Sequence, residues 1–226
     1  YSDLKAKVIM IKSYAKINLF LRILKKKSNG LHNLQSSTML LNLHDTISIK
    51  KIREKKDKIK FIGQFKNKIN NKSNTIIKSL YVLRKHGFIN KSERYKITIN
   101  KKIPVFAGLG GGTSNAVFLI KYFLTNKFNE NLIGIFEKEI GSDFRLFFFR
   151  HSFQKKLKKI VEFKKRYSFF FILVYPNINC STKQIYSKVR RFNLPILKDL
   201  SKIQSKSKYM QFLQTEPNDL QSIVEK

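Results

Sequence analysis

The sequence predicts a fold built of both strands and helices, and three observations predict it. From Ala15 to Ile23 the residues alternate strictly, with Ala15, Ile17, Leu19, Leu21 and Ile23 on one face and Lys16, Asn18, Phe20 and Arg22 on the other. That two-residue period is a strand with one buried face. Arg94 to Ile103 (RYKITINKKI) alternates in the same way. Thr113 to Leu124 instead carries Ala116, Phe118, Leu119, Tyr122 and Phe123 at helical spacing. At 226 residues the chain can bury a sizeable core, in one large domain or two small ones.

Taken in order, Val8 to Leu24 opens the fold, and its alternation sets Lys16 and Asn18 roughly 6–7 Å apart on the face opposite the apolar one. Pattern alone reads Lys16 as an ordinary solvated lysine. Lys25 to Gly30 is a polar turn and Leu34 to Leu43 a mixed segment; Asp45 then punctuates before a strand at Thr46 to Lys50. Lys50 to Lys60 is a charge run, read as a solvated loop or hairpin. Asn74 caps a helix through Lys85, with Ile76, Ile77, Leu80 and Leu83 inward and Gly87 as its stop. Asn129 to Ile140 forms another helix, ended by Gly141. Asp143 stands just beyond, before an apolar run, where a carboxylate is a cap or a catalytic group; pattern alone favours the cap. His151 to Lys165 is basic and weakly patterned, and Arg166 to Tyr175 reads as a buried strand halted by Pro176. Ser181 and Gln184 resemble a capping box opening a helix to Arg191, Gln204 to Lys208 a polar linker, and Pro217-Asn218-Asp219 the start of a last helix. The composition shifts near 160–167, the expected domain boundary.

Between the second strand and its helix lies Pro104 to Phe118 (PVFAGLGGGTSNAVF), in which Gly108, Gly110, Gly111 and Gly112 supply four of the chain's 9 glycines. Strand, glycine loop and helix start bring bare backbone N–H groups and a helix dipole to one point, where an anion binds. A P-loop would need Lys after the last glycine, and Thr113-Ser114 stand there instead. A dinucleotide fingerprint counted from Gly108 would need glycine where Thr113 stands. The alternative is a tight turn with no ligand.

Composition excludes several classes. The longest apolar run, Phe169 to Tyr175, is strand-sized and too short to span a bilayer. A single cysteine, Cys180, rules out an internal disulfide and fits a reducing cytoplasm. His32 has no Cys or acidic partner at ligand spacing, so no metal site is expected there. Lys+Arg number 47 against 14 Asp+Glu, a net charge of +33, which is the footprint of a nucleic-acid binder. The basic residues are spread from end to end, however, and Lys, Asn, Ile and Phe are abundant together, as AT-rich codons would produce; non-specific polyanion affinity follows either way.

Three segments, AKINLFL at Ala15–Leu21, PVFAGLGGGTSNA at Pro104–Ala116 and IGSDFRLFF at Ile140–Phe148, resemble the signature blocks of the GHMP kinases, the small-molecule kinases that include galactokinase, homoserine kinase and mevalonate kinase. SNGLHNLQS, LNLHDTISI, NTIIKSL and PNDLQSIV extend the resemblance along the chain, towards the branch that phosphorylates a cytidine-diphosphate-linked polyol in the non-mevalonate isoprenoid pathway. The resemblance implies an α+β, two-domain GHMP kinase fold. Residues 1–164 would form a domain like the second domain of ribosomal protein S5, and 165–226 part of a ferredoxin-like domain whose final glycine-rich block is not reached by Lys226. Homoserine- or mevalonate-type kinases, and a non-catalytic basic RNA-associated protein, are the competing readings. A monomer or weak dimer, and no membrane partner, are expected.

Residue by residue, the resemblance implies ATP with Mg²⁺ as cofactors. Pro104, Ala107, Gly108, Leu109, Gly110, Gly111, Gly112, Thr113, Ser114 and Asn115 would bind the phosphates and Asn74 would lie near the adenine. Asp143 matches the catalytic aspartate and Lys16 the lysine that partners it, so the carboxylate would stay charged and accept the acceptor hydroxyl's proton. Asn18 would hydrogen-bond within that site. His32 matches a cytosine-reading histidine and Tyr186 a position that stacks on the base. Leu31 stands where the family usually has Tyr, and Arg145 where it has proline.

Overall fold

The computed structural model describes residues 7–28, 30–70, 72–125, 127–165, 167–176, 178 and 182–225. The chain packs into two units that interleave along the sequence. The first holds residues 1–15, 41–105 and 109–144, the second 16–40, 106–108 and 145–226. They interleave because the two longest strands, β1 (Ile9–Lys26) and β2 (His32–Ile52), each contribute residues to both.

In the first unit the end of β2 pairs antiparallel with β4 (Arg94–Asn100), in a register that sets Ile47 against Ile99 and Ile49 against Ile97, all buried. β3 (Lys58–Ile62) adds parallel to β4, so the charge run condenses into an edge strand whose lysines stay exposed. Asp45 does not interrupt anything: β2 runs straight through it, with the side chain fully buried. A strand tolerates a buried carboxylate only when its oxygens are bonded, and these are.

Helix α1 (Thr75–Lys85) begins as its sequence predicts. The Asn74 side chain accepts the amides of Ile76 and Ile77, both at 3.1 Å, a cap that contributes about 1 kcal/mol. It ends where Gly87 turns to φ 74° and Phe88 N–H donates back to Leu83 at 2.9 Å. α1 packs against α2 (Gly111–Phe123) and α3 (Glu130–Ile140). Asn129 caps α3, and Phe136 at its centre is wholly buried against Phe144, ring planes 18° apart. That stack fixes the chain next to Asp143.

In the second unit β2 pairs through Ser36–Met39 with β5 (His151–Lys156), which returns as β6 (Lys159–Glu162). The weakly patterned basic stretch is therefore a hairpin. Its core gathers Phe20, Phe153, Phe163, Tyr167, Leu200 and Tyr209. Tyr209, fully buried, belongs to α5 (Lys206–Thr215), capped by Ser205. The polar stretch read as a linker is thus a helix start; the residues that anchor the helix, Tyr209, Phe212 and Leu213, all lie beyond Lys208.

The segment after Arg166, a residue outside the described ones, differs most from expectation. Residues 167–176 form no strand, and Phe170, Ile172 and Val174 are 103%, 96% and 81% exposed. Only Tyr167 and Phe169 reach the core cluster. An apolar run becomes a buried strand only if other elements cover its faces. α4 (Thr182–Ser187) is shorter than predicted, with Ser181 outside the described residues, and α6 (Gln221–Val224) follows Asp219. Asp219 accepts the Ile23 amide at 2.6 Å and so fastens this end of the chain to β1.

Candidate active site

The glycine loop is held by conformation and by crowding. Phe106, Gly108 and Gly110 all take positive φ, at 61°, 71° and 66°, which coils the backbone tightly before α2. Gly111 is tightly packed: a Cβ there would lie 3.0 Å from Ile103 Cγ2 and 3.4 Å from Lys101 Nζ, so those side chains would have to give. Gly110 stands at the N-cap of α2 and offers no side chain, and no acidic residue lies in the first turn. Asn74, Asn129 and Ser205 cap α1, α3 and α5 with side-chain oxygens. The amino end of α2 thus has no side-chain cap, a geometry that suits an anion.

Behind this end lies a buried polar network absent from the sequence reading. Ser13, Asp45, Lys101, Ser114 and Asn115 are all 0–2% exposed. Lys101 Nζ donates to Asp45 Oδ2 and, at 3.0 Å, to Asn115 Oδ1. Asp45 Oδ1 accepts the amides of Lys102 and Ile103 at 2.7 and 2.9 Å, and its Oδ2 accepts Asn115 Nδ2 at 2.9 Å. Asn115 Nδ2 also reaches Ser13 Oγ at 2.9 Å; the Ser13 and Ser114 hydroxyls are 2.8 Å apart, and Ser114 donates to the Tyr14 carbonyl at 2.6 Å. Burial lowers the Lys101 pKa, and the Asp45 carboxylate opposes that shift. The side chains of Ser114 and Asn115 thus face inward, and what they present to a ligand is backbone. Asn74 is likewise committed, its Nδ2 donating to the Asn70 carbonyl at 3.1 Å.

Lys16 is not a solvated lysine: it is 6% exposed. Its Nζ donates to Asn18 Oδ1 at 3.4 Å, and Thr38 Oγ1 from β2 donates to the same oxygen at 3.2 Å. The two-residue strand period sets Lys16 and Asn18 on one face, as predicted, but packing buries that face. Asp143 is half-buried in the first unit, between the end of α3 and the short 3₁₀ turn Phe144–Phe148.

In the second unit His32 lies beside two rings, Tyr186 at 5.2 Å and 36°, and Phe192 at 6.3 Å and 22°. Phe192 was not singled out in the sequence; nothing local marks it. His32 is 7% exposed, and its Nε2 has no hydrogen-bond partner among the described residues. Burial, with the Lys26 cation adding to it, holds its pKa below the ordinary value. A neutral imidazole with an unused nitrogen beside aromatic faces is equipped to take the edge of a planar heterocycle.

Comparisons with known proteins agree on one group. Residues 74–134, which include the loop and its helix, match the family model "GHMP kinases N terminal domain". The chain is 38% identical over 219 residues to the 4-diphosphocytidyl-2-C-methyl-D-erythritol kinase of Pelagibacter ubique, covering 95% of this chain and 75% of the relative. It is 31% identical to the protein of that name from Finegoldia magna, covering 97% and 79%. To that of Francisella philomiragia it is 36% identical, over 77% of this chain and 63% of the relative. A crystal structure of 4-(cytidine 5'-diphospho)-2C-methyl-D-erythritol kinase superposes with a TM-score of 0.63 at 19% identity, over 96% of this chain and 77% of the other. The chain therefore spans between three fifths and four fifths of the length of these four proteins.

Proposed function

The chain belongs to the 4-diphosphocytidyl-2-C-methyl-D-erythritol kinase family and has the GHMP kinase fold, and from that premise we propose that it transfers the γ-phosphoryl group of ATP to the 2-hydroxyl of 4-diphosphocytidyl-2-C-methyl-D-erythritol, in the non-mevalonate route to isoprenoid precursors. The observation that carries the substrate is the unused, buried Nε2 of His32 beside the Tyr186 and Phe192 rings. A cytosine offers an edge to that nitrogen and a face to the Tyr186 ring.

The nucleotide side rests on Pro104 to Asn115. The uncapped first turn of α2 supplies amides and dipole to the ATP phosphates, and Asn74 with the start of α1 lies towards the adenine. In the reaction the substrate oxygen bonds to the γ-phosphorus as the bond to the bridging oxygen breaks; ADP leaves, and the hydroxyl proton passes to the Asp143 carboxylate. Lys16, its ammonium directed by Asn18, adds positive charge at the transferred group. Mg²⁺ would enter with ATP, held by its phosphates.

ADP release on a substrate panel tests this. Turnover is expected with the cytidylated polyol alone; turnover of homoserine or mevalonate in its place would overturn the assignment. Asp143→Asn should lower kcat by about 10³-fold with an unchanged circular dichroism spectrum.

A further inference from the structure

We propose that Asp45 is a positioning residue for the nucleotide: one buried carboxylate clamps both feet of the glycine loop. The inference rests on the reading above that the loop holds ATP. The loop leaves β4 through Lys101–Ile103 and enters α2 at Gly111, with Ser114 and Asn115 just inside the helix. Asp45 Oδ1 holds the first foot by the amides of Lys102 and Ile103, at 2.7 and 2.9 Å. Its Oδ2 holds the second foot through Asn115 Nδ2 at 2.9 Å, and Lys101 Nζ bridges the two by donating to both Asp45 and Asn115.

Each Asp45 oxygen accepts two hydrogen bonds, so its four acceptor positions are filled and none is left for a phosphate or metal. It acts through the groups it holds. The Lys101 ammonium lies close behind Gly111, within 3.4 Å of where a Cβ would stand, so a shift of the pair moves the first turn of α2 directly. A buried ion pair is a poor source of net stability, since desolvating both charges offsets their attraction. What it supplies here is a fixed distance between the strand exit and the helix start. That distance sets where the amides of Gly111 to Thr113 point.

The whole network lies in the first unit, whereas His32, Tyr186 and Phe192 lie in the second. Loosening it is therefore expected to act on the nucleotide and spare the cytidylated substrate. Asp45→Asn alone strands the Lys101 charge and endangers folding, so the test pairs Asp45→Asn with Lys101→Met, and uses Asn115→Ala to release the helix foot alone. Hydrogen exchange of residues 104–113 in the ligand-free protein reads the clamp, and steady-state kinetics read its use. In cooperatively melting variants we expect faster exchange confined to the loop. The kcat/KM for ATP should fall on the order of a hundredfold, and KM for the cytidylated polyol should stay unchanged. Wild-type exchange and wild-type KM for ATP in a folded variant would overturn the proposal, as would both KM values rising together. If the wild-type protein turns over no substrate, the kinase reading fails, and loop exchange alone still decides whether Asp45 clamps.

Discussion

Phe192 lies with its ring against His32, centroids 6.3 Å apart and planes 22° from parallel, though a strand carries one and the irregular stretch after α4 the other. It keeps 47% of its surface exposed, so it is not part of a core. The family's usual aromatic at position 31 is absent, and Leu31 there is 42% exposed.

Phe192→Ala should therefore raise KM for the cytidylated substrate about fivefold to tenfold, the worth of one aromatic contact, with KM for ATP unchanged. Because burial and Lys26 depress the His32 pKa, the wild-type KM should stay flat as pH falls through the ordinary histidine range near 6.5 and rise only below it. Initial-rate kinetics across pH check both.

Lys16→Met keeps the buried stem of the side chain and removes its charge. It should leave the melting temperature nearly unchanged and lower kcat by about 10²-fold or more. A variant with wild-type kcat would remove Lys16 from the chemistry.

Glycines separate by their surroundings. Gly110 sits at φ 66°, so Gly110→Ala should cost about 1–2 kcal/mol and weaken nucleotide binding. Gly134 lies inside α3, and a Cβ there meets nothing within 4 Å. Gly134→Ala should stabilise by about 0.5–1 kcal/mol, because alanine loses less backbone freedom in a helix. Denaturant melts of the two variants should move in opposite directions.

His151 should make the protein acid-sensitive. Its ring stacks on Phe163 at 3.7 Å, its Nε2 lies 3.1 Å from Ser37 Oγ and 3.2 Å from Tyr209 OH, and burial lowers its pKa to about 4. A folded-state value below the unfolded one means that the unfolded chain takes up the proton first. Stability is then complete above pH 6.5 and is lost as pH falls towards 4, by on the order of 3 kcal/mol from this group. His151→Gln should flatten that part of the stability–pH curve, measured by urea unfolding.

Much of the fold was legible because its signals are local. Asn74 caps the helix it was expected to cap, the helix expected from Asn129 starts there, Gly87 and Gly141 end the two, and alternation found β1 and β4. The glycine cluster pointed to a coiled turn into α2, and the structure has it, because left-handed backbone and a helix start without a side-chain cap are properties of a few adjacent residues. Tertiary structure decided the rest. Lys16 and Asp45 are buried because other elements cover them, and period-two alternation reports only which residues share a face. Lys101 reads as one lysine among many until Asp45 and Asn115 come within hydrogen-bond reach. The run from Phe169 to Val174 has the composition of a buried strand, yet Phe170, Ile172 and Val174 stay exposed. Hydrophobicity is a property of the side chain, whereas burial is a property of what packs against it.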